Sequence, residues 1–454
     1  MKGTSMSAPK PVWKSFLRFL APLMLSNALQ SLFGTVSNVY LGQMIGVDAL
    51  AAVSTFFPVF FFLFAFVMGL STGATVLIGQ AFGAGEHGRI KSVVGTTLAV
   101  GLLLSISVGL IGGLFSRQLM MALATPADIL DQASAYARIM LLTMPLGFVF
   151  LLMTAMIRGV GDAVTPLLAL ALSTAIGLIL TPMLIRGAFG LPAFGITSPA
   201  WAAAISNAVT LLALAAYLLR KKHALAPDVA LLRHVRLNRA VIGQILGIGL
   251  PSAVGMVVMA IAELVLLGLV NGFGSDATAA YGAVNQVMGY TQFTALSISI
   301  AVSILGAQAI GGGDRARLDG IVRTGLAFNL VLTGGLVALI YLMPRSVLGI
   351  FITDSTVLDL AKGLLIIALW SSVPFGLATT FSGAMRAAGV ALTPMLLSIF
   401  AIVAIELPSA VILSRTIGLV GVWAAYPIVF CAMFVLQMGY YLLVWRKKAI
   451  PRLI

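Results

Sequence analysis

The sequence predicts an all-α polytopic membrane protein, with twelve transmembrane helices arranged as two pseudo-symmetric six-helix bundles. Three observations carry that expectation. The 454 residues are 60% hydrophobic and only 9% charged, with a mean hydropathy of +1.10, whereas about a quarter of the residues are charged in an ordinary water-covered domain. Twelve apolar stretches reach the length of about 20 residues that a helix needs to cross the hydrocarbon core. Two distant residue clusters also recur at one constant step of 228.

Each stretch is bounded by charge or by Gly- and Pro-rich breaks, because non-helical backbone is not tolerated against lipid. The first covers 16–42, with Lys2, Lys10 and Lys14 before it and Arg18 in its first turn, and ends ahead of Asp48. These cations before an apolar run imitate a signal peptide, but no small-residue cleavage site closes a short core, so they lead into the first span. The second, 52–79, runs into QAFGAGEHGR; the third, 91–114, stops at FSRQ; the fourth covers 134–157. The fifth, 164–187, begins at a Thr-Pro pair and ends in GAFGLPAFG, and the sixth, 199–220, ends at the basic run that opens with Arg220. After that connection come 241–270, closed by NGFGSD, then 279–310, closed by QAIGGGDRAR, then 320–342, closed by Met-Pro-Arg. The last three are 357–385, 392–416 and 420–445.

Cytoplasmic connections retain Lys and Arg. With the N-terminus inside, 21 of the 27 basic residues fall on the inner side, leaving Arg117, Arg138, Arg186, Arg345, Lys362 and Arg415 outside. A multi-pass plasma (inner) membrane protein with both termini cytoplasmic is therefore expected. The net charge of +14 then reflects topology and contact with anionic lipid. Nucleic-acid binding would need the cations gathered on one face, and they are dispersed. One cysteine, Cys431, and three histidines, His87, His223 and His234, leave almost no material for disulfides, for His- or Cys-based metal sites, or for a Cys–His nucleophile. HExxH and GxxxxGK[ST] are absent, and GxSxG occurs only as Gly69–Gly73 within an apolar stretch rather than at a strand-to-helix turn, so neither an enzyme nor a cofactor is expected.

QAFGAGEHGR from Gln80 and QAIGGGDRAR from Gln308 align Gly83 with Gly311, Gly85 with Gly313 and Arg89 with Arg317. IRGVGDAVTP and MRAAGVALTP align Arg158 with Arg386, Gly161 with Gly389, Thr165 with Thr393 and Pro166 with Pro394, all at the step of 228. Six helices per copy is an even number, so the copies enter the membrane in the same sense, related by an axis along the membrane normal. The expected division is an N-terminal bundle over 1–220, a basic cytoplasmic linker over 221–240, and a C-terminal bundle over 241–454. Two bundles that rock about a cleft make a transporter architecture.

The stretch LAPLMLSNALQSLFGTVSNVYLGQMIGVDALAAV, the following GLSTGATVLIGQAFGAG and the paired arginine–glycine–Thr-Pro signatures resemble the multidrug and toxic compound extrusion family. The resemblance covers nearly the whole chain. It implies twelve helices in two bundles and export of substrate against H⁺ or Na⁺. It also implies an aspartate in the first helix, where this chain has Asn38, and in the nearest prokaryotic subgroup a second in the fifth helix, where it has Thr181. Neither side chain titrates, so the N-lobe ion site implied by the family does not carry over.

Of thirteen acidic residues, eleven fall in connections or at helix ends. Glu263, inside MAIAELVLLGLV, and Glu406 remain within spans. At the step of 228 they fall opposite Thr35 and Leu178, each within a turn of Asn38 and Thr181. A carboxylate at the bilayer centre costs about 2.5–3.5 kcal/mol on insertion scales and is a functional candidate by default. Glu263 and Glu406 are the expected ion-coupling residues, for H⁺ or for Na⁺ held by the same oxygens with neighbouring hydroxyls or carbonyls. The competing reading is two protonated glutamates that bond neighbouring helices, Glu406 using a carbonyl freed by Pro408.

Asn27, Gln30, Gly34 and Asn38 recur at helical spacing as one polar stripe, suited to a cavity or to interhelical bonds. Asn207, Asn285 and Gln292 are further cavity candidates, and Met259, one turn before Glu263, offers an adaptable apolar wall. Thr181 completes the candidate substrate cavity. The expected partners are a small amphipathic cationic substrate and membrane lipid, and the expected assembly is a monomer. A lipid-linked saccharide flippase would need cations in the cleft for a pyrophosphate, and here Arg and Lys lie at helix ends. An intramembrane hydrolase lacks a nucleophile–base pairing. A non-transporting membrane protein has no evident use for embedded acids.

Overall fold

The computed structural model of the chain describes residues 11–190, 192–450 and 452–453. Among them are twelve helices long and apolar enough to cross a membrane: α1 (Val12–Met44), α2 (Asp48–Gly83), α3 (His87–Leu114), α4 (Leu130–Gly159), α5 (Val164–Arg186), α6 (Gly195–Arg220), α7 (Arg239–Asn271), α8 (Ser275–Gly311), α9 (Arg315–Leu342), α10 (Ser355–Ala387), α11 (Leu392–Ile417) and α12 (Leu419–Lys447). Their number and order match the apolar stretches, and the protein is an all-α, multi-pass membrane protein. Helix ends follow local chemistry. The Asp314 carboxylate accepts from the Arg317 amide at 2.8 Å and that of Asp354 from Thr356 and Val357 at 2.8 and 3.0 Å, which satisfies amides that have no helical partner. Asp162 does the same at the start of α5, accepting from the Val164 and Thr165 amides at 3.0 Å.

The duplication is visible in the backbone. Left-handed glycines occur in four pairs separated by 228: Gly46 and Gly274, Gly85 and Gly313, Gly161 and Gly389, Gly190 and Gly418. Only glycine adopts positive φ without a Cβ penalty, so each pair marks the same turn between helices in both copies. Gly46–Gly274 and Gly190–Gly418 extend the register to connections whose other residues have diverged.

The chain forms two compact units. One comprises the described residues up to Met24 with Ile261–Ala388 and Leu396–Arg452; the other comprises Leu25–Ala260, Gly389–Met395 and Leu453. Helices α1 and α7 thus each give one part to one unit and the remainder to the other. In the first unit, α8 and α10 approach closely: a Cβ on Gly383 would meet the Ser299 carbonyl at 2.5 Å, and one on Gly306 would lie 3.1 Å from Ala387. Small residues allow such close backbone contact between membrane helices. Arg386 ties the same pair, donating to the hydroxyls of Ser382 and Ser299 at 2.8 Å.

In the second unit, Gly109 and Gly113 of α3 face Leu141 and Leu142 of α4. The connection 221–240 packs here too. Leu225, Ala226 and Leu231 are buried, Asp228 caps a short helix (Val229–Leu232) through the Leu231 amide, and Lys91 Nζ donates to Asp228 Oδ2 at 2.6 Å. A Cβ on Gly95 would run into the His234 carbonyl. His223 lies 3.9 Å from Asp162; burial lowers its pKa and the neighbouring carboxylate opposes that.

Candidate functional site

Within the first unit, three helices bring polar side chains together inside apolar surroundings. Glu263 comes from the later part of α7. Tyr281 and Asn285 lie four residues apart on α8, so they share a face, as do Trp423 and Tyr426, three apart on α12. Oε2 of Glu263 accepts from the Tyr281 hydroxyl at 2.8 Å, from the Tyr426 hydroxyl at 2.9 Å, and more weakly from Asn285 Nδ2 at 3.4 Å. The two hydroxyl oxygens are 3.0 Å apart. Bonds of hydroxyls to a charged acceptor contribute about 1.5–3 kcal/mol each, so the pair offsets the insertion cost of one carboxylate.

Aromatic packing holds the hydroxyls in place. The Trp423 ring lies 5.2 Å from Tyr281 and 5.6 Å from Tyr426, and the stack continues from Tyr426 to Phe430 at 5.9 Å and on to Phe375 at 4.9 Å. Trp423 and Tyr426 are at most 1% exposed, while Glu263 is half-buried. A rigid phenol over a half-open carboxylate leaves the acid reachable and its partners fixed.

Glu406 is 5% exposed on α11, in the same unit. It ends a π-helical stretch, Ala401–Glu406, two residues before Pro408. Proline has no N–H to return to the carbonyl four residues earlier, and the ladder widens in the turn before it; such π turns recur at functional sites.

The other candidates are not among the bonded partners of Glu263. In the second unit, Thr181 is fully buried and returns its hydroxyl to the Gly177 carbonyl at 2.7 Å, and Asn207 accepts from Ser173 of α5 at 3.1 Å. Asn27 and Met259 are half-buried there, and Gln30 and Asn38 are exposed. Gln292 is half-buried on α8, two turns beyond Asn285. The sequence singles out Glu263, Glu406 and Asn285 but not Tyr281, Tyr426 and Trp423. The available signal was a polar-tipped aromatic in an apolar helix, whose hydroxyl needs a partner when buried.

A duplicated, all-helical, multi-pass protein with acids inside one half belongs to the class of membrane transporters built from repeated bundles. The chain belongs to the MatE family, the multidrug and toxic compound extrusion transporters: the family model matches residues 22–183 and again 251–412, once in each half. It is a transporter family, and the chain is not an enzyme. A similar protein is the probable multidrug resistance protein YoeA of Bacillus subtilis, 42% identical over 453 residues, covering 99% of this chain and 98% of that one. The probable multidrug resistance protein NorM of Thermotoga maritima is 25% identical, covering 90% and 88%. Among solved structures, a MATE protein in its straight conformation superposes with a TM-score of 0.87 at 22% identity, covering 96% and 98%. A MOP superfamily transporter from Pyrococcus furiosus gives 0.85 at 23%, covering 98% and 100%. These two likenesses show the fold.

Proposed function

We propose that the protein is a secondary active antiporter that exports amphipathic organic cations or drugs by alternating access, in exchange for H⁺ or Na⁺. Glu263 and Glu406 carry the coupling ion. The observation that supports this reading best is the grip of two phenolic hydroxyls on the Glu263 carboxylate, with a second acid, Glu406, buried within the same unit. The names of similar proteins, multidrug resistance and multidrug export proteins, support the substrate class.

Ion loading neutralises one half of the molecule, and its release restores a negative charge that attracts a cationic substrate. Asn27, Gln30, Asn38, Thr181, Asn207, Met259, Asn285 and Gln292 line the substrate path. The halves 1–220 and 241–454 alternate about it, with 221–240 tethering them on the cytoplasmic side of the plasma (inner) membrane, and the working unit is the monomer. A potential of 100 mV supplies about 2.3 kcal/mol per charge, more than the roughly 1.4 kcal/mol of a tenfold concentration ratio.

The test is ethidium efflux from proteoliposomes under separately imposed pH and Na⁺ gradients. Glu263→Gln and Glu406→Gln are each expected to abolish gradient dependence. Efflux that keeps its pH or Na⁺ dependence in both single variants removes the two acids from the mechanism.

A further inference from the structure

The proposed function leaves the coupling ion open between H⁺ and Na⁺. We infer that Tyr281 and Tyr426 make the Glu263 site specific for a proton and closed to a sodium ion. The inference rests on Glu263 being a coupling residue.

Glu263 Oε2 and the two tyrosine oxygens form a triangle with sides of 2.8, 2.9 and 3.0 Å, each within hydrogen-bond range. Three sides call for three hydrogens, and the tyrosines bring two. With the carboxylate ionised, both hydroxyls donate to Oε2, and the two phenol oxygens face each other with no hydrogen between them. One proton from water completes the set. The carboxyl O–H then donates to one tyrosine, that tyrosine to the other, and the second back to Oε2, so that every oxygen donates once and accepts once. The group passes from a charge of −1 to neutral with no heavy atom displaced. A phenol has the rotatable hydrogen this exchange needs.

A sodium ion fits none of this. Hard cations such as Ca²⁺ and Mg²⁺ gather about six oxygens at roughly 2.0–2.6 Å, and sodium needs a shell of the same kind. The centre of the triangle is nearer to its corners than that range allows. Off the plane, Asn285 turns the hydrogens of Nδ2, not a lone pair, toward Oε2. No cluster of three His, Cys, Asp or Glu occurs among the described residues. The titratable groups bonded to Glu263 are Tyr281 from α8 and Tyr426 from α12, and the other acid within the spans of this unit is Glu406 on α11.

The experiment compares wild type, Glu263→Gln, Tyr281→Phe, Tyr426→Phe and the double Phe variant in proteoliposomes, with ethidium as the probe. Two readouts are taken: efflux driven by a tenfold pH or Na⁺ gradient alone, and the pH profile of efflux with and without Na⁺. Wild type is expected to respond to the pH gradient only, with a profile that Na⁺ leaves unmoved. The double variant is expected to shift its midpoint by about one pH unit or more, since two donors to the charged form are gone, and to become sensitive to Na⁺. If it fails to fold, the single variants, checked by gel filtration, show the midpoint shift in part. Wild-type efflux driven by Na⁺ at equal pH overturns the inference, as does a Phe variant with the wild-type profile and no Na⁺ response. Glu263→Gln that still follows the pH gradient is a different failure: it removes the coupling role of Glu263, and this inference falls with it.

Discussion

At the scale of single residues, Glu263 shows how an apolar helix accommodates an acid: the donors come from elsewhere in the fold. Its neighbours in sequence, Ala262 and Leu264, offer no side-chain donor, while Tyr281 and Tyr426 donate from 18 and 163 residues away. The two acids were legible because a charge among apolar residues is rare and costly. The tyrosines were not, because an aromatic ring in an oily helix looks the same whether it packs or donates. Glycines were legible where they repeat, and Gly161 tests their role. With φ of 88°, Gly161→Ala places a Cβ in the left-handed region and is expected to cost about 1–2 kcal/mol, read as a lower thermal unfolding midpoint in detergent. An unchanged midpoint would mean that the turn relaxes freely.

At the scale of elements, helix positions were readable from composition and helix irregularities were not. Apolarity marks a span at 392–416, and Pro408 leaves a carbonyl free there, but a widened π turn at Ala401–Glu406 is only one way for the ladder to answer. Pro408→Ala supplies the missing N–H and allows an ordinary ladder, which rotates Glu406 about the helix axis. Efflux in proteoliposomes is expected to fall severalfold while the variant stays monodisperse; full activity would show that the turn merely accommodates the proline. The connection 221–240, read from charge and proline as a linker, is held by Asp228. Its pKa lies below the ordinary 3.8, first because Lys91 donates to it and then because the Leu231 amide does. A depressed carboxylate contributes stability that is present above its unfolded value and lost as pH falls through its folded one. Protection of the Leu231 amide in hydrogen exchange is therefore expected to hold at neutral pH and to fade below 3.8, with Asp228→Asn weakened throughout. Equal protection in both proteins at neutral pH argues against the pair.

At the scale of the whole molecule, the proposed coupling sets a charge balance. A monovalent cation leaving for one proton is electroneutral, whereas two protons, one per glutamate, move net charge and draw on the voltage at about 2.3 kcal/mol per 100 mV. Collapsing the membrane potential with valinomycin and balanced potassium, at a fixed pH difference, is expected to slow export. Export that ignores the potential points to a single proton and leaves one of the two acids outside the exchange. The duplication gives this scale its other constraint: four left-handed glycine pairs keep the step of 228, while both acids are confined to the second copy, so the copies share a frame and have diverged in chemistry.

Composition and spacing alone determined that the chain crosses a membrane twelve times, that it is duplicated, and that two acids lie within its spans. Lipid forces every backbone group into a helix, and helices of that length must be written as long apolar runs. Tertiary structure alone decided what surrounds those acids. A hydroxyl recruited from another helix leaves no mark on the helix it serves, so the triangle of Glu263, Tyr281 and Tyr426, and the hydrogens it holds, exist only once α7, α8 and α12 have packed.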